Sequence, residues 1–97
     1  MPNVVEYVSF NLKNGASVPD FLLASEKMNA GFLSARKGYI SRKLLVDGEI
    51  WADWVLWETM EDALHAAKAF GENAVDREYM SFIENCDMRH FSVEKSY

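Results

Sequence analysis

Two histidines, His65 and His90, and a single cysteine, Cys86, are the side chains of this chain that titrate nearest neutrality. His90 falls in a strand-like stretch near the end of the sequence and is the candidate general acid or base. Arg42 and Asp53 flank an Asp47-Gly48 hairpin signal and are expected to face each other across it. Asp53 is then the candidate partner that orients a base, and Arg42 the group that holds a carbonyl or phenolate oxygen. Trp51 and Trp57 stand two residues before and four after Asp53 and supply walls for a flat ligand. Ser25 and Asn29 interrupt the apolar stripe of a predicted helix. Polar groups there must be paired or must face a wet cavity. Ser9, with Tyr7 and Asn11, alternates with apolar residues near the N-terminus and is expected to join that cavity. The candidate catalytic residues are thus His90 and Asp53; the candidate substrate-binding residues are Trp51, Trp57, Arg42, Ser9, Ser25 and Asn29. Each has a plainer use: ion pairing for Arg42 and Asp53, core packing for the tryptophans, backbone bonding for Ser25 and His90. Cys86 has no base beside it in sequence and reads as a small hydrophobe. No Ser-His-Asp pattern, phosphate-binding glycine loop or metal-ligand spacing is present, so no metal is expected.

The elements that position these residues follow from periodicity. Val4 to Lys13 reads as a largely buried strand ended by Asn14-Gly15. Ser17, Pro19 and Asp20 start a helix with apolar positions at Val18, Phe21, Leu22, Met28, Phe32 and Leu33, stopped by Gly38. Tyr39 to Val46 and Ile50 to Glu58 form a hairpin pairing Val46 with Glu49, Leu44 with Trp51 and Arg42 with Asp53. Thr59 caps a second helix with its stripe at Met60, Ala63, Leu64, Ala67 and Phe70. Val75, Tyr79, Phe82 and Ile83 mark a short third helix, and Asp87 to Lys95 a last strand. The order β-α-β-β-α-(α)-β predicts an α+β, ferredoxin-like fold with a four-stranded antiparallel sheet.

The chain has 97 residues, enough for one domain spanning 1–97, and 49% of them are hydrophobic. Its net charge of −5, with no basic run longer than a pair, argues against nucleic acid and against an anionic membrane surface. No apolar run approaches the roughly 18 residues of a membrane span, and no targeting segment is visible. One cysteine suits a reducing compartment, so a cytoplasmic protein is expected. The third strand carries Trp51, Val55 and Trp57 on one side and Trp54 and Leu56 on the other. Helices cover only one face of such a sheet. The second face therefore needs a cover, and a second copy packed sheet on sheet is the expected one.

Val5-Glu6-Tyr7-Val8-Ser9-Phe10-Asn11-Leu12 with Gly15, Gly38-Tyr39-Ile40-Ser41-Arg42, Trp57-Glu58-Thr59-Met60-Glu61-Asp62-Ala63 and the late aromatics Tyr79 and Phe82 together resemble antibiotic biosynthesis monooxygenase-like proteins of the dimeric α+β barrel superfamily. The resemblance spans nearly the whole chain through the order and spacing of motifs that are each largely structural. It implies a homodimer and a small apolar or aromatic ligand. It also implies oxygenation of an aromatic or polyketide-like compound without a cofactor. Haem-degrading members carry a first-strand Asn, a second-helix Trp and a later His. Val8, Ala66 and the His-free stretch 75–83 depart from that pattern, so haem degradation is not expected. The reading from another class is a non-catalytic ligand-binding or stress-related dimer.

Overall fold

The structure is a computed structural model that describes residues 2–97. Four strands, β1 (Val4–Leu12), β2 (Tyr39–Asp47), β3 (Ile50–Trp57) and β4 (Ile83–Ser92), form one antiparallel sheet in the order β2-β3-β1-β4. Helices α1 (Val18–Gly31), α2 (Met60–Ala69) and α3 (Ala74–Met80) pack on one face. This is the α+β, ferredoxin-like arrangement. None of the described helices is long and apolar enough to cross a membrane.

Side-chain alternation along the strands decides what meets the helices. Val4, Glu6 and Phe10 of β1 and Asp53, Val55 and Trp57 of β3 are buried on the helix side. Phe21, Ala24, Ser25 and Met28, at i, i+3, i+4 and i+7, form the buried face of α1. Leu22 and Leu23 are exposed, so the predicted stripe was turned by part of a helical step. On α2 the buried positions are Ala63 and Ala66, and Leu64 is exposed. Small residues there let the helix approach the sheet while leaving space under it.

Three local departures from the sequence reading shape the site. The hairpin turn is Gly48-Glu49, with Asp47 paired to Ile50. Gly48 has φ +60 and Glu49 is not in the left-handed region, as in a type II′ turn with glycine first. Arg42 therefore stands opposite Val55 and Leu44 opposite Asp53. The register moved by an even number, so Arg42, Leu44 and the β3 side chains kept their faces. A bulge at Ile40 puts Tyr39 on the core side against Trp57, at 6.1 Å between ring centroids, and turns Ile40 outward. The last strand starts at Ile83, earlier than expected, and carries an extra residue between Glu84 and Asp87. Asn85 takes φ 58 there, a conformation asparagine tolerates, and its Nδ2 donates to Asn11 Oδ1 at 3.2 Å.

Candidate active site

A cavity of about 340 Å³ lies between the sheet and the helices. Its floor is Glu6, Val8 and Phe10 of β1 with Asp53, Val55 and Trp57 of β3. Its roof includes Met28, Ala66, Phe70 and Tyr79. Met80 and Met88 also line it and are each 48% exposed, which marks its open end beside β4. The walls are overwhelmingly apolar, and few polar groups point in, as in small-molecule sites generally.

Two carboxyl groups share this floor but differ in what holds them. Asp53 is saturated. Its Oδ1 accepts from Arg42 Nε at 2.8 Å, and Arg42 Nη2 is ion-paired with the same oxygen at 2.7 Å. Its Oδ2 accepts from the Tyr79 hydroxyl at 2.7 Å. Arg42 Nη2 also donates to that hydroxyl at 3.1 Å, and Nη1 reaches the Ser25 carbonyl at 3.4 Å and Asn29 Oδ1 at 3.5 Å. Burial, reinforced by the Asp53 charge, pushes the Tyr79 phenol far above its usual range, so it stays protonated and donates. The group is a charge-neutral clasp tying α1 and α3 to the sheet.

Glu6 is different. It is 7% exposed, and its direct cross-strand neighbour is His90. His90 Nε2 lies 2.9 Å from Glu6 Oε2. Glu6 Oε1 has no hydrogen bond among the described residues. Burial raises the Glu6 carboxyl above its ordinary value; His90 pulls it back, and the Asp53 charge adds to the rise. Beside it the indole of Trp57 is fully buried. The Trp57 Nε1–H lies near the Glu6 carboxyl but outside hydrogen-bonding geometry, and has no partner among the described residues. Buried donors are seldom left unpaired, and the acceptor beside this one is the Glu6 carboxyl, whose proton affinity the indole lowers. Cys86 also faces the cavity, and burial pushes its thiol up, away from the thiolate form.

The candidates from sequence separate accordingly. Asp53 and Trp57 line the cavity. Arg42, Ser25 and Asn29 stand behind it, joined to Asp53 rather than to the open space. His90 does not line it and reaches it only through Glu6. Trp51 packs edge-on against Phe21, 5.2 Å away, in the aromatic core instead of on the cavity wall. Ser9, paired with Ala52 and Asp87, and Tyr7, paired with Trp54 and Arg89, lie on the opposite face of the sheet, so alternation removes them from the site. Glu6, the cavity's one uncommitted carboxyl, was missed. Its signal was present: a charged residue at an inward position of Val4-x-Glu6-x-Val8-x-Phe10.

No family model and no curated protein matches the chain. Solved structures do. SnoaB, a cofactor-independent oxygenase from Streptomyces nogalater, superposes with a TM-score of 0.79 at 12% identity, over 99% of this chain and 97% of that one. A protein from Nitrosomonas europaea assigned as an antibiotic biosynthesis monooxygenase gives 0.71 at 13%, over 95% and 90%. A dimeric ferredoxin-like protein from an uncultured marine organism gives 0.67 at 9%, over 100% and 92%. Identities this low speak of architecture, and activity has to be argued from the site. The chain has the fold of the antibiotic biosynthesis monooxygenase-like proteins.

Proposed function

We propose that the protein is a homodimer that binds a flat, apolar, aromatic or polyketide-like compound in this cavity and oxygenates it without a cofactor, with Glu6 as the base. The observation that carries the reading is a carboxyl group with a free oxygen, raised in proton affinity by burial, on the floor of an otherwise apolar cavity. That environment makes a carboxylate a stronger base than it is in water. The likeness in fold to a cofactor-independent oxygenase supports the same reading.

The chemistry balances without any further redox group. Glu6 takes a proton from an activated CH2 of the substrate. The carbanion gives two electrons to dioxygen and becomes a hydroperoxide on taking back a proton. The hydroperoxide loses water, so that CH2 and O2 become C=O and H2O. Glu6 gives its proton to the peroxide as the hydroperoxide forms, then takes the second C–H proton as the O–O bond breaks and passes it to the departing hydroxide, so it ends as it began. This replaces His90 by Glu6 as the group that meets substrate, and leaves Asp53 to hold Tyr79 and Arg42.

Oxygen uptake with 1,8-dihydroxyanthrone as substrate tests the proposal. The wild type should consume one O2 per anthrone. Glu6→Gln, which keeps the shape and removes the base, should lose about a hundredfold or more in kcat. Equal rates for the two proteins, above the spontaneous oxidation, would remove Glu6 from the mechanism.

A further inference from the structure

A buried carboxylate needs a donor both to stay in place and to stay charged. From β3, Asp53 brings Glu6 only a like charge, and is itself held by Arg42 of β2 and Tyr79 of α3. Trp57, also of β3, is near but outside hydrogen-bonding geometry. From β4, Cys86 keeps its own proton, because burial pushes its thiol up. The α1 and α2 residues on the cavity wall, Met28, Ala66 and Ala67, do not ionise. That leaves His90 as the donor within reach among the described residues. It is the direct cross-strand partner of Glu6, and its Nε2 lies 2.9 Å from Oε2. A carboxylate only accepts, so Nε2 carries the hydrogen. In the neutral ring Nδ1 is then bare; in the imidazolium Nε2 still donates. The contact therefore holds in both charge states of the ring. The Glu6 and His90 side chains are 10% and 15% exposed, so water competes little for it.

We propose that His90 is the positioning residue of the base: its Nε2–H grips Glu6 Oε2, fixes the carboxylate on the cavity floor and leaves Oε1 as the oxygen that meets the ligand. The assignment rests on Glu6 being the base and deepens that reading. His90 neither touches the ligand nor changes its own proton during the reaction. A hydrogen bond donated to a carboxylate favours the ionised form, and burial opposes it. With the donor removed, Glu6 holds its proton to higher pH and is a working base over a narrower range. The resulting defect is greatest on the acid side and shrinks as pH rises. Loss of a merely structural histidine lowers the rate alike at every pH.

The test follows the anthrone assay across pH in wild type, in His90→Leu, which removes the donor, and in His90→Gln, whose side-chain amide offers an N–H at similar reach. In His90→Leu the acid limb of kcat/KM should move up by about one pH unit. Its KM at the optimum should change little, because His90 lies off the cavity wall. His90→Gln should recover most of the shift. In a Glu6→Gln background, His90→Leu should cost nothing further. If Glu6→Gln is impaired while His90→Leu keeps the wild-type profile, His90 does not act through Glu6 and the base assignment stands. If the wild type oxidises nothing, or Glu6→Gln keeps its rate, the base reading fails, and the grip on Glu6 is read in the ligand-free protein. There 13C NMR should show the Glu6 carboxyl titrating at higher pH in His90→Leu than in wild type; equal midpoints overturn the grip. Should neither variant fold, 15N NMR of the wild type decides. A neutral ring with its hydrogen on Nε2 supports the proposal, and one with its hydrogen on Nδ1 overturns it.

Discussion

At the scale of single residues, the decisive contrast is between two acids that sequence reading treats alike. Asp53 is held by two hydrogen bonds and an ion pair; Glu6 keeps one oxygen free. Residue type pointed to His90, Asp53 and Trp57, and all three belong to the neighbourhood. What type could not give was which carboxyl is spent on structure, because that depends on a tyrosine 26 residues away in sequence. A third buried acid gives an independent check on how burial acts in this core. Asp76 is 0% exposed; its Oδ2 accepts from the Gly71 N–H at 3.1 Å, and its Oδ1 has no partner. Burial raises it above 3.8, its ordinary value. A raised carboxyl means the folded state holds the proton more tightly than the unfolded one. Stability therefore falls as pH rises through the interval above 3.8. Asp76→Asn keeps an acceptor for Gly71 and removes the charge. Its melting temperature should exceed that of the wild type at neutral pH, and the difference should shrink as pH falls toward the ordinary carboxyl value. Thermal melts across pH read this directly. A difference that grows on acidification would contradict it.

At the scale of elements, the order of helices and strands followed from periodicity, and the errors fell at turns and edges. The hairpin offered Asp47-Gly48 or Gly48-Glu49 as its centre. The second wins because a type II′ turn needs glycine at its first central position only. Faces survived this error because side chains alternate with period two. The Ile40 bulge and the extra residue near Asn85 are set by the fit of neighbouring strands, which no local pattern records. Gly38 is not the stop of α1, which ends at Gly31, but its backbone conformation still requires glycine. It has φ +84, and a Cβ there would overlap the Asp62 carboxyl in the first turn of α2. Gly38→Ala should therefore cost about 1–3 kcal/mol, measured by urea unfolding, where an ordinary glycine-to-alanine change in a loop is neutral or stabilising. Unchanged stability would mean that the β2 entry relaxes freely.

At the scale of the whole molecule, the sheet presents two unlike faces. The inner one is covered by helices. The outer one carries Val5, Tyr7, Trp54 and Leu56, with Leu45, Ile50 and Phe91 at 40%, 56% and 47% exposure. So large a run of apolar side chains on one face is unusual for a free surface and suits a partner. The proposed partner is a second copy, in keeping with a dimeric ferredoxin-like protein of the same fold. Trp54 is central to this face, with Lys43 Nζ 5.0 Å above its ring. Trp54→Asp should halve the mass seen by light scattering at micromolar concentration while leaving the far-ultraviolet circular dichroism spectrum unchanged. A wild type that is already monomeric would exclude the dimer. The cavity lies on the other face, and its location is the centre of the functional account. The most direct test is a co-crystal structure with 1,8-dihydroxyanthraquinone, the stable oxidised counterpart of the anthrone. The expected result is the planar compound inside the cavity, against Val8, Phe10 and Met28, with one edge at the Glu6 carboxyl. Binding confined to the outer sheet face, or an empty cavity at saturating compound, would contradict it.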